Sequence, residues 1–209
     1  MINATDSKGT FYILNKKDRT PIIFIHGVGL DHSIWDPQIN EFDNTVLIYD
    51  ILGHGKTPLN KNDLSFDDFS NQILNLMGEL KFNKVHLVGF SIGSLIARNF
   101  ASRFNDRLAS LTLLCSIFNR SDKEQKIVND RFEQTKKDHK LTKDALKRWF
   151  TEDYLNKNPG ISDKIFNILQ NNNMNNFIKI YSLFVKHQDN EKFENIKTKT
   201  LVITGEGDV

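Results

Sequence analysis

The chain of 209 residues is 39% hydrophobic and carries 28 lysines and arginines against 26 acidic residues, a net charge of +2. This length suffices for the core of one α/β domain. Because the net charge is small and the two signs are interspersed rather than clustered, the composition argues against a nucleic-acid partner.

The sequence gives no sign of secretion or membrane insertion. Residues 1–7 are polar, without a basic start or an apolar stretch, so we expect no secretion signal. No apolar run approaches the ~20 residues that cross a bilayer, so we expect no membrane partner. The single cysteine, Cys115, lies in an apolar run and is expected to be a small buried hydrophobe. These features favour a cytoplasmic protein.

Short apolar runs alternate with amphipathic stretches along most of the chain, which predicts strands followed by helices. The predicted strands occupy residues 10–15, 21–25, 45–49, 84–88, 109–116 and 199–205. The predicted helices occupy residues 35–42, 66–80 and 95–101, and a Ser-x-x-Asp pattern at residues 65–68 resembles a capping box. This alternation predicts an α/β fold with a mostly parallel, doubly wound sheet and right-handed crossovers.

Residues 121–195 interrupt the alternation. Strand patterns vanish there, charge rises, and helical apolar stripes appear at residues 145–150 and 177–184. A simple crossover between parallel strands needs only ~12 residues, so we interpret this block as a helical lid. The predicted division is a core over 1–120, the lid over 121–195, and a returning core strand with an acidic loop over 196–209.

A G-x-S-x-G pattern at residues 89–93 lies between a predicted strand and a predicted helix. A serine flanked by glycines there can sit on a sharp turn, with its hydroxyl out of the sheet above the helix N-terminus. Ser91 is therefore the candidate nucleophile for attack on a carbonyl carbon. The pattern alone leaves open an ordinary βα turn, or a serine that only caps the helix.

Three other strand ends carry further motifs. Residues 21–25 run into His-Gly-Val-Gly at 26–29, residues 45–49 into D-x-x-G-x-G at 50–55, and the last strand into Glu-Gly-Asp at 206–208. In this order, the motifs resemble the α/β-hydrolase superfamily over the whole chain. The resemblance implies the α/β-hydrolase fold with a lid, and a catalytic serine, acid and histidine in that chain order.

The resemblance also implies individual roles. Ser91 would be the nucleophile, and Asp208 would be the acid that orients a histidine, although a strand-end aspartate can also be an ordinary loop residue. Val28 and Ile92 would supply the backbone N–H groups of an oxyanion hole. We interpret His26 as structural, holding its loop in place, and the segment 50–55 as mainly structural.

The catalytic histidine of the family matches none of the histidines in the sequence, which are His26, His32, His54, His86, His139 and His187. The family carries it after the acid, so we expect it beyond Val209 and regard the chain as C-terminally truncated, with the last strand and helix missing. Such a chain is expected to be inactive alone and prone to aggregate through its last strand. No spacing suggests a metal site or a dinucleotide, so no cofactor is expected.

Residues 29–38, 148–151 and 200–203 resemble 3-oxoadipate enol-lactonases and related esterases, whereas Ser94 replaces a glycine that many of them carry. The resemblance implies a small lactone substrate with carboxylates. Arg148 could pair with a carboxylate and Trp149 could form a wall of the pocket. Ordinary lid packing explains both residues equally well.

Three functional classes stay open at this point. The first is a serine hydrolase of a small carboxylic ester or lactone that works through an acyl-enzyme. The second is C–C bond hydrolysis, or a cofactor-free haloperoxidase or perhydrolase reaction, on the same fold. The third is a non-catalytic binding protein that keeps the fold. The sequence does not determine the oligomeric state.

Overall fold

The computed structural model describes residues 1–188 and 193–206. The strands are β1 (Ile2–Thr5), β2 (Phe11–Asn15), β3 (Arg19–Ile25), β4 (Asn44–Tyr49), β5 (Val85–Phe90), β6 (Leu108–Leu114) and β7 (Thr200–Ile203). The helices are α1 (Phe66–Glu79), α2 (Ile92–Arg103), α3 (Asp122–Asp138), α4 (Asp144–Trp149), α5 (Glu152–Lys157), α6 (Pro159–Gln170) and α7 (Met174–Lys186).

The described strands form one sheet in the order β1-β2-β4-β3-β5-β6-β7. Strands β4, β3, β5, β6 and β7 run parallel, whereas β1 and β2 pair antiparallel at one edge. Val46, Leu47 and Ile48 are consecutive in β4 and have no exposed surface, as expected for a parallel sheet that is covered on both faces. The structure confirms the predicted mostly parallel α/β fold.

Alternate residues of the central strands point to opposite faces of the sheet, because side chains in a strand alternate with a period of two. On one face, the strands pack against α1 and α2, through residues that include Ile23, Ile25, Leu47 and Tyr49. On the other face, they pack against the loop that follows β3, through residues that include Ile22, Phe24, Val46 and Ile48. The predicted capping box is also confirmed, since Ser65 and Asp68 bond reciprocally at the start of α1.

The predicted helix over residues 35–42 is wrong. A single 3-10 turn, His32–Trp35, is followed by further turns instead. The N–H of Gln38 donates to the carbonyl of Trp35 three residues back, and Pro37 has no N–H with which to continue a helix. The segment still buries its apolar residues on the sheet, so the apolar spacing was informative although the helix was not formed.

Strand β1 was not predicted from the sequence. Its four residues are exposed or half-buried, and they form the edge of the sheet through antiparallel pairing of Ile2 with Leu14 and of Thr5 with Phe11. So short and exposed a strand lacks the alternation of apolar and polar residues that identifies a strand from sequence.

Cys115 is half-buried rather than fully buried, which corrects the expectation from its apolar run. It directly follows β6 and has a positive φ of 49°, so the chain turns out of the sheet there. Its N–H donates to the carbonyl of Ile203 at 2.8 Å, which extends the pairing of β6 with β7.

Helices α3 to α7 lie between β6 and β7 in the chain, where the sequence predicted a helical block. Leu146, Ile165 and Leu169 from this block bury their side chains together with Leu30 of the loop after β3. The block therefore contacts the loop that carries the His-Gly-Val-Gly motif. The division into core, lid and returning strand stays a prediction. No helix in the described part of the chain is long and apolar enough to span a membrane.

Candidate active site

Ser91 occupies the sharp turn between β5 and α2, and its backbone has φ 55° and ψ −120°. Few residues other than glycine adopt such a conformation, which costs about 1–3 kcal/mol and persists only where the surroundings impose it. The Ser91 N–H donates to the carbonyl of Leu114 at 3.0 Å, and the Ser91 carbonyl accepts from the N–H of Ser94 at 2.9 Å. These bonds hold both peptide groups of the turn, and the Ser91 side chain stays half-buried.

The two glycines of the motif are required by close backbone packing. A Cβ atom on Gly89 would lie 2.1 Å from the carbonyl oxygen of Gly93, and one on Gly93 would lie 2.6 Å from that of Ile25. Neither contact is possible, so only glycine lets α2 approach β5 and β3 closely enough to form this turn. Ser94 is buried and donates its hydroxyl to the Ser91 carbonyl at 2.6 Å.

The predicted oxyanion-hole residues lie on either side of this turn. Ile92 is the first residue of α2, so its N–H has no acceptor within the helix. Val28 lies in a turn of residues 27–30 that is closed by the Leu30 N–H bonding to the Gly27 carbonyl at 3.2 Å. A Cβ atom on Gly27 would lie 3.4 Å from the Cβ of Ser91, which places this turn directly beside the serine. Within the described residues, the Val28 and Ile92 N–H groups make no backbone hydrogen bond.

His26 fixes the peptide group that carries the Val28 N–H. Its Nε2 accepts from the Ile51 N–H at 3.0 Å, so the ring proton is on Nδ1, which donates to the Gly27 carbonyl at 2.8 Å. That carbonyl and the Val28 N–H belong to the same peptide group. Burial lowers the pKa of His26 below its usual value, so the ring is neutral. With both nitrogens occupied, the ring is structural, as the sequence predicted.

His54 holds the same turn from its other side. Its Nε2 accepts from the Gly29 N–H at 2.9 Å, and its Nδ1 lies 3.3 Å from the carbonyl oxygen of Leu52. Burial, reinforced by the nearby His26, lowers the pKa of His54 to about 3. The two rings meet edge to face with centroids 5.4 Å apart. Two neutral histidines therefore support the candidate oxyanion hole.

The buried Asp50 and the half-buried His32 form a pair that joins the loop after β4 to the loop after β3. One carboxylate oxygen of Asp50 accepts from the His32 N–H at 2.8 Å and from its Nδ1 at 2.7 Å, and the other accepts from the Lys56 N–H at 2.8 Å. A Cβ atom on Gly55 would lie 2.3 Å from this carboxylate. The D-x-x-G-x-G segment is thus structural, as predicted. The His32 partner was not predicted, because nothing local in the sequence links the two residues.

The pKa values of this pair move apart. Burial alone would raise the pKa of Asp50, but the hydrogen bond from His32 and its other donors outweigh burial and lower it. Burial alone would lower the pKa of His32, but its hydrogen bond to Asp50 outweighs burial and raises it. Both shifts favour the ionised pair.

No histidine in the described part of the chain hydrogen-bonds to Ser91. Beyond those already described, His86 bonds to the hydroxyl of Ser110 at 2.7 Å, His139 directly follows α3 as its cap residue, and His187 packs against the ring of Phe66. The candidate acid, Asp208, lies outside the described residues. The structure thus brings Ser91, Val28 and Ile92 together and leaves the acid and base of a triad to be tested.

The two candidate substrate-binding residues are at the end of α4. Trp149 is the last residue of that helix and is 44% exposed. For Arg148, only the helical backbone position is described. A cavity of about 240 Å³ lies elsewhere, between residues 53–58 and 171–176, and Ser91 is not among its lining residues. Within residues 1–188 and 193–206, no group of three metal-ligating side chains is placed to hold a metal ion.

Comparison with known proteins identifies the family. The family model for the alpha/beta hydrolase fold matches residues 20–208, so the chain belongs to this family. It is 27% identical over 203 residues to (E)-2-((N-methylformamido)methylene)succinate hydrolase of Acinetobacter baylyi (strain ATCC 33305 / BD413 / ADP1), covering 95% of this chain and 76% of that protein. It is 25% identical over 213 residues to 3-oxoadipate enol-lactonase 1 of the same organism, covering 100% of this chain and 79% of that protein.

The fold is also that of a solved enol-lactonase structure. The enol-lactonase from Burkholderia xenovorans LB400 superposes with a TM-score of 0.82 at 24% identity, covering 98% of this chain and 81% of that one. These similarities confirm the resemblance to the α/β-hydrolase superfamily and to enol-lactonases. Because its relatives are hydrolases, the chain is identified as a hydrolase of this family.

Proposed function

We propose that this protein is a serine hydrolase that cleaves a small carboxylic ester or lactone through an acyl-enzyme. One observation carries the proposal: Ser91 is held in a strained conformation between β5 and α2, directly beside the turn of residues 27–30. Strain of this kind is concentrated at functional sites, because a purely structural turn gains nothing from it. A helix N-terminus beneath the serine further favours negative charge at this point.

In the proposed mechanism, Ser91 Oγ attacks the carbonyl carbon and forms a bond to it. The carbonyl oxygen becomes an oxyanion, which accepts hydrogen bonds from Val28 and Ile92. Collapse of this intermediate breaks the bond to the leaving oxygen and leaves the acyl group on Ser91, and water then releases the acid. A histidine that follows Asp208 in chain order is the proposed base that takes the proton from Ser91 and delivers it to the leaving oxygen, and Asp208 is the proposed acid that orients this histidine.

We further propose a substrate that carries a carboxylate, similar to 3-oxoadipate enol-lactone. Both relatives described above are named for carboxylate compounds. Arg148 and Trp149 are the proposed substrate-binding residues, with the guanidinium of Arg148 accepting a carboxylate in bidentate fashion. If so, Arg148→Ala should lower kcat/KM for an anionic lactone more than for its neutral methyl ester. An unchanged ratio would remove Arg148 from the substrate site.

The nucleophile is tested on the whole gene product with p-nitrophenyl acetate and a small carboxylated lactone. Ser91→Ala should reduce turnover by several orders of magnitude and abolish labelling by a fluorophosphonate probe. Ser102→Ala is the matched control, because Ser102 lies on the same helix and its hydroxyl donates to the carbonyl of Asn99. Undiminished turnover in Ser91→Ala would refute the mechanism. Absence of turnover by the wild type on both substrates would instead favour the C–C hydrolase, perhydrolase or binding-protein alternatives.

A further inference from the structure

Asn172 connects the helices that follow β6 to the turn beside Ser91. It lies between α6 and α7, and its side-chain Nδ2 donates to the Gly29 carbonyl at 2.8 Å. The same nitrogen lies 3.1 Å from the carbonyl oxygens of Ile168 and Leu169 at the end of α6. An amide has two N–H groups, so one bonds to Gly29 while the other is shared by the two helix carbonyls. One side chain therefore ties the end of α6 to the turn.

Gly29 is enclosed on every side by this arrangement. Its N–H donates to the buried His54, its carbonyl accepts from Asn172, and its φ of 77° belongs to the region that favours glycine. A Cβ atom on Gly29 would lie 2.9 Å from the ring of Phe177 in α7 and 3.1 Å from Leu169 in α6. The turn of residues 27–30 is thus held between a core histidine and the predicted lid.

We propose that Asn172 is a positioning residue for the oxyanion hole, through which the predicted lid sets the orientation of the Val28 N–H. The proposal rests on the proposed function, since it assumes that the Val28 N–H binds an oxyanion. Val28 directly precedes Gly29 in a four-residue turn, so loss of the bond from Asn172 leaves the bonds to His26 and His54 and the Leu30–Gly27 bond to resist rotation of the turn. Rotation moves a donor that must lie within about 3 Å of the developing charge.

Three variants separate positioning from packing. Asn172→Ala removes the donor. Asn172→Asp keeps the shape but places a carboxylate against three carbonyl oxygens, so it should be worse than alanine. If Asn172 only filled space, Asn172→Asp would resemble the wild type. Asn175→Ala is the matched control, because Asn175 is an exposed asparagine on the neighbouring helix.

The kinetic experiment uses the whole gene product and measures kcat, KM and the affinities for two inhibitors. Asn172→Ala should lower kcat about tenfold with little change in KM, since misplaced groups affect the transition state more than substrate binding. Affinity for a trifluoromethyl ketone, which forms a tetrahedral adduct on serine, should fall by the same factor, while affinity for the carboxylic acid product stays constant. An equal loss for substrate, ketone and product would refute the positioning role.

A second measurement does not depend on activity. Amide hydrogen exchange at Gly29 should be protected by the bond to His54, and Asn172→Ala should reduce this protection about fivefold, as expected for one lost hydrogen bond. Asn175→Ala should leave it unchanged. Unaltered Gly29 exchange in both Asn172 variants would overturn the link between the predicted lid and the turn. Faster exchange in a protein without esterase activity would refute the proposed function and leave the link intact.

Discussion

The backbone N–H of Ile51 donates to Nε2 of His26 at 3.0 Å, and this bond determines which nitrogen of the ring carries its proton. With Nε2 occupied as an acceptor, Nδ1 must donate, and it does so to the Gly27 carbonyl at 2.8 Å. A bond from the loop after β4 thus orients a peptide group in the loop after β3. His54 supports the same turn in a similar way, because its Nε2 accepts from the Gly29 N–H. The turn beside Ser91 is therefore supported by two rings that must stay neutral.

The neutrality of His54 should make the stability of the fold depend on pH. Its pKa is about 3 in the folded protein against 6.5 for an unperturbed histidine, so between these values the unfolded chain binds the additional proton. Stability from this residue is therefore complete above pH 6.5 and is lost as the pH falls towards 3. His54→Gln keeps an acceptor for Gly29 but does not titrate.

The measurement is urea denaturation of both proteins from about pH 7.5, one unit above the unperturbed pKa, down to about pH 4, one unit above the pKa in the fold. The free energy of unfolding of the wild type should fall relative to His54→Gln as the pH decreases, with a slope of up to about 1.4 kcal/mol per pH unit. Other titrating groups are common to both proteins and cancel in the difference. A difference that does not change with pH would show that the fold does not lower the pKa of His54.

The parts of the fold that the sequence predicted depend on local constraints. The glycines at 89 and 93 signal a tight turn because any side chain there meets backbone atoms, and this requirement is visible in five consecutive residues. Ser65 and Asp68 signal a helix start for the same reason, since both partners of the capping box lie within one turn. Periodicity placed the buried strands, because burial on both faces produces continuous apolar runs.

The parts that the sequence did not predict depend on contacts between distant segments. Asn172 and Gly29 are 143 residues apart, and nothing near either residue identifies its partner. The pairing of His32 with Asp50 is similar, since a histidine in a loop and an acid at a strand end are common separately. Pro37 is a different case, because the residue responsible is local. Its apolar neighbours are spaced as in a helix, but Pro37 lacks the N–H with which a helix would continue.

The pair of Asp50 and His32 should contribute more to stability than a surface pair of the same charge type. Asp50→Asn removes the carboxylate that accepts hydrogen bonds from His32 and from the Lys56 N–H, so we expect a loss of about 3 kcal/mol at about pH 6. Asp43→Asn is the matched control, because Asp43 and its partner Arg19 have side chains that are 76% and 68% exposed. The control should change the free energy of unfolding by less than about 1 kcal/mol.

Chemical denaturation of the two variants gives the comparison directly. The pKa of Asp50 is lowered in the fold, so its contribution is present above its unperturbed pKa of 3.8 and is lost as the pH falls through the lowered value. The raised pKa of His32 sets an upper limit, because its charge is lost as the pH rises through that value, so the cost of Asp50→Asn should be full at about pH 6, between the unperturbed values of 3.8 and 6.5. Equal effects of the two substitutions at that pH would mean that the Asp50 pair behaves like an exposed ion pair.

Two glycine-to-alanine substitutions should differ in sign, because the space around the two glycines differs. In Gly89→Ala, the new methyl group would lie 2.1 Å from the Gly93 carbonyl oxygen, a backbone atom that can move only if α2 shifts away from β5. We therefore expect no folded product, or a loss of more than about 4 kcal/mol, which is the range of the most damaging single substitutions.

In Gly78→Ala, nothing lies within 4 Å of the new methyl group, and residue 78 is helical, near the end of α1. Alanine is favoured over glycine in a helix by about 0.8–1 kcal/mol, so this variant should be more stable than the wild type. Both free energies of unfolding are obtained from urea titrations followed by circular dichroism. A folded Gly89→Ala protein of near-normal stability would show that the turn around Ser91 can relax, and the strain at this serine would then no longer support its role as a nucleophile.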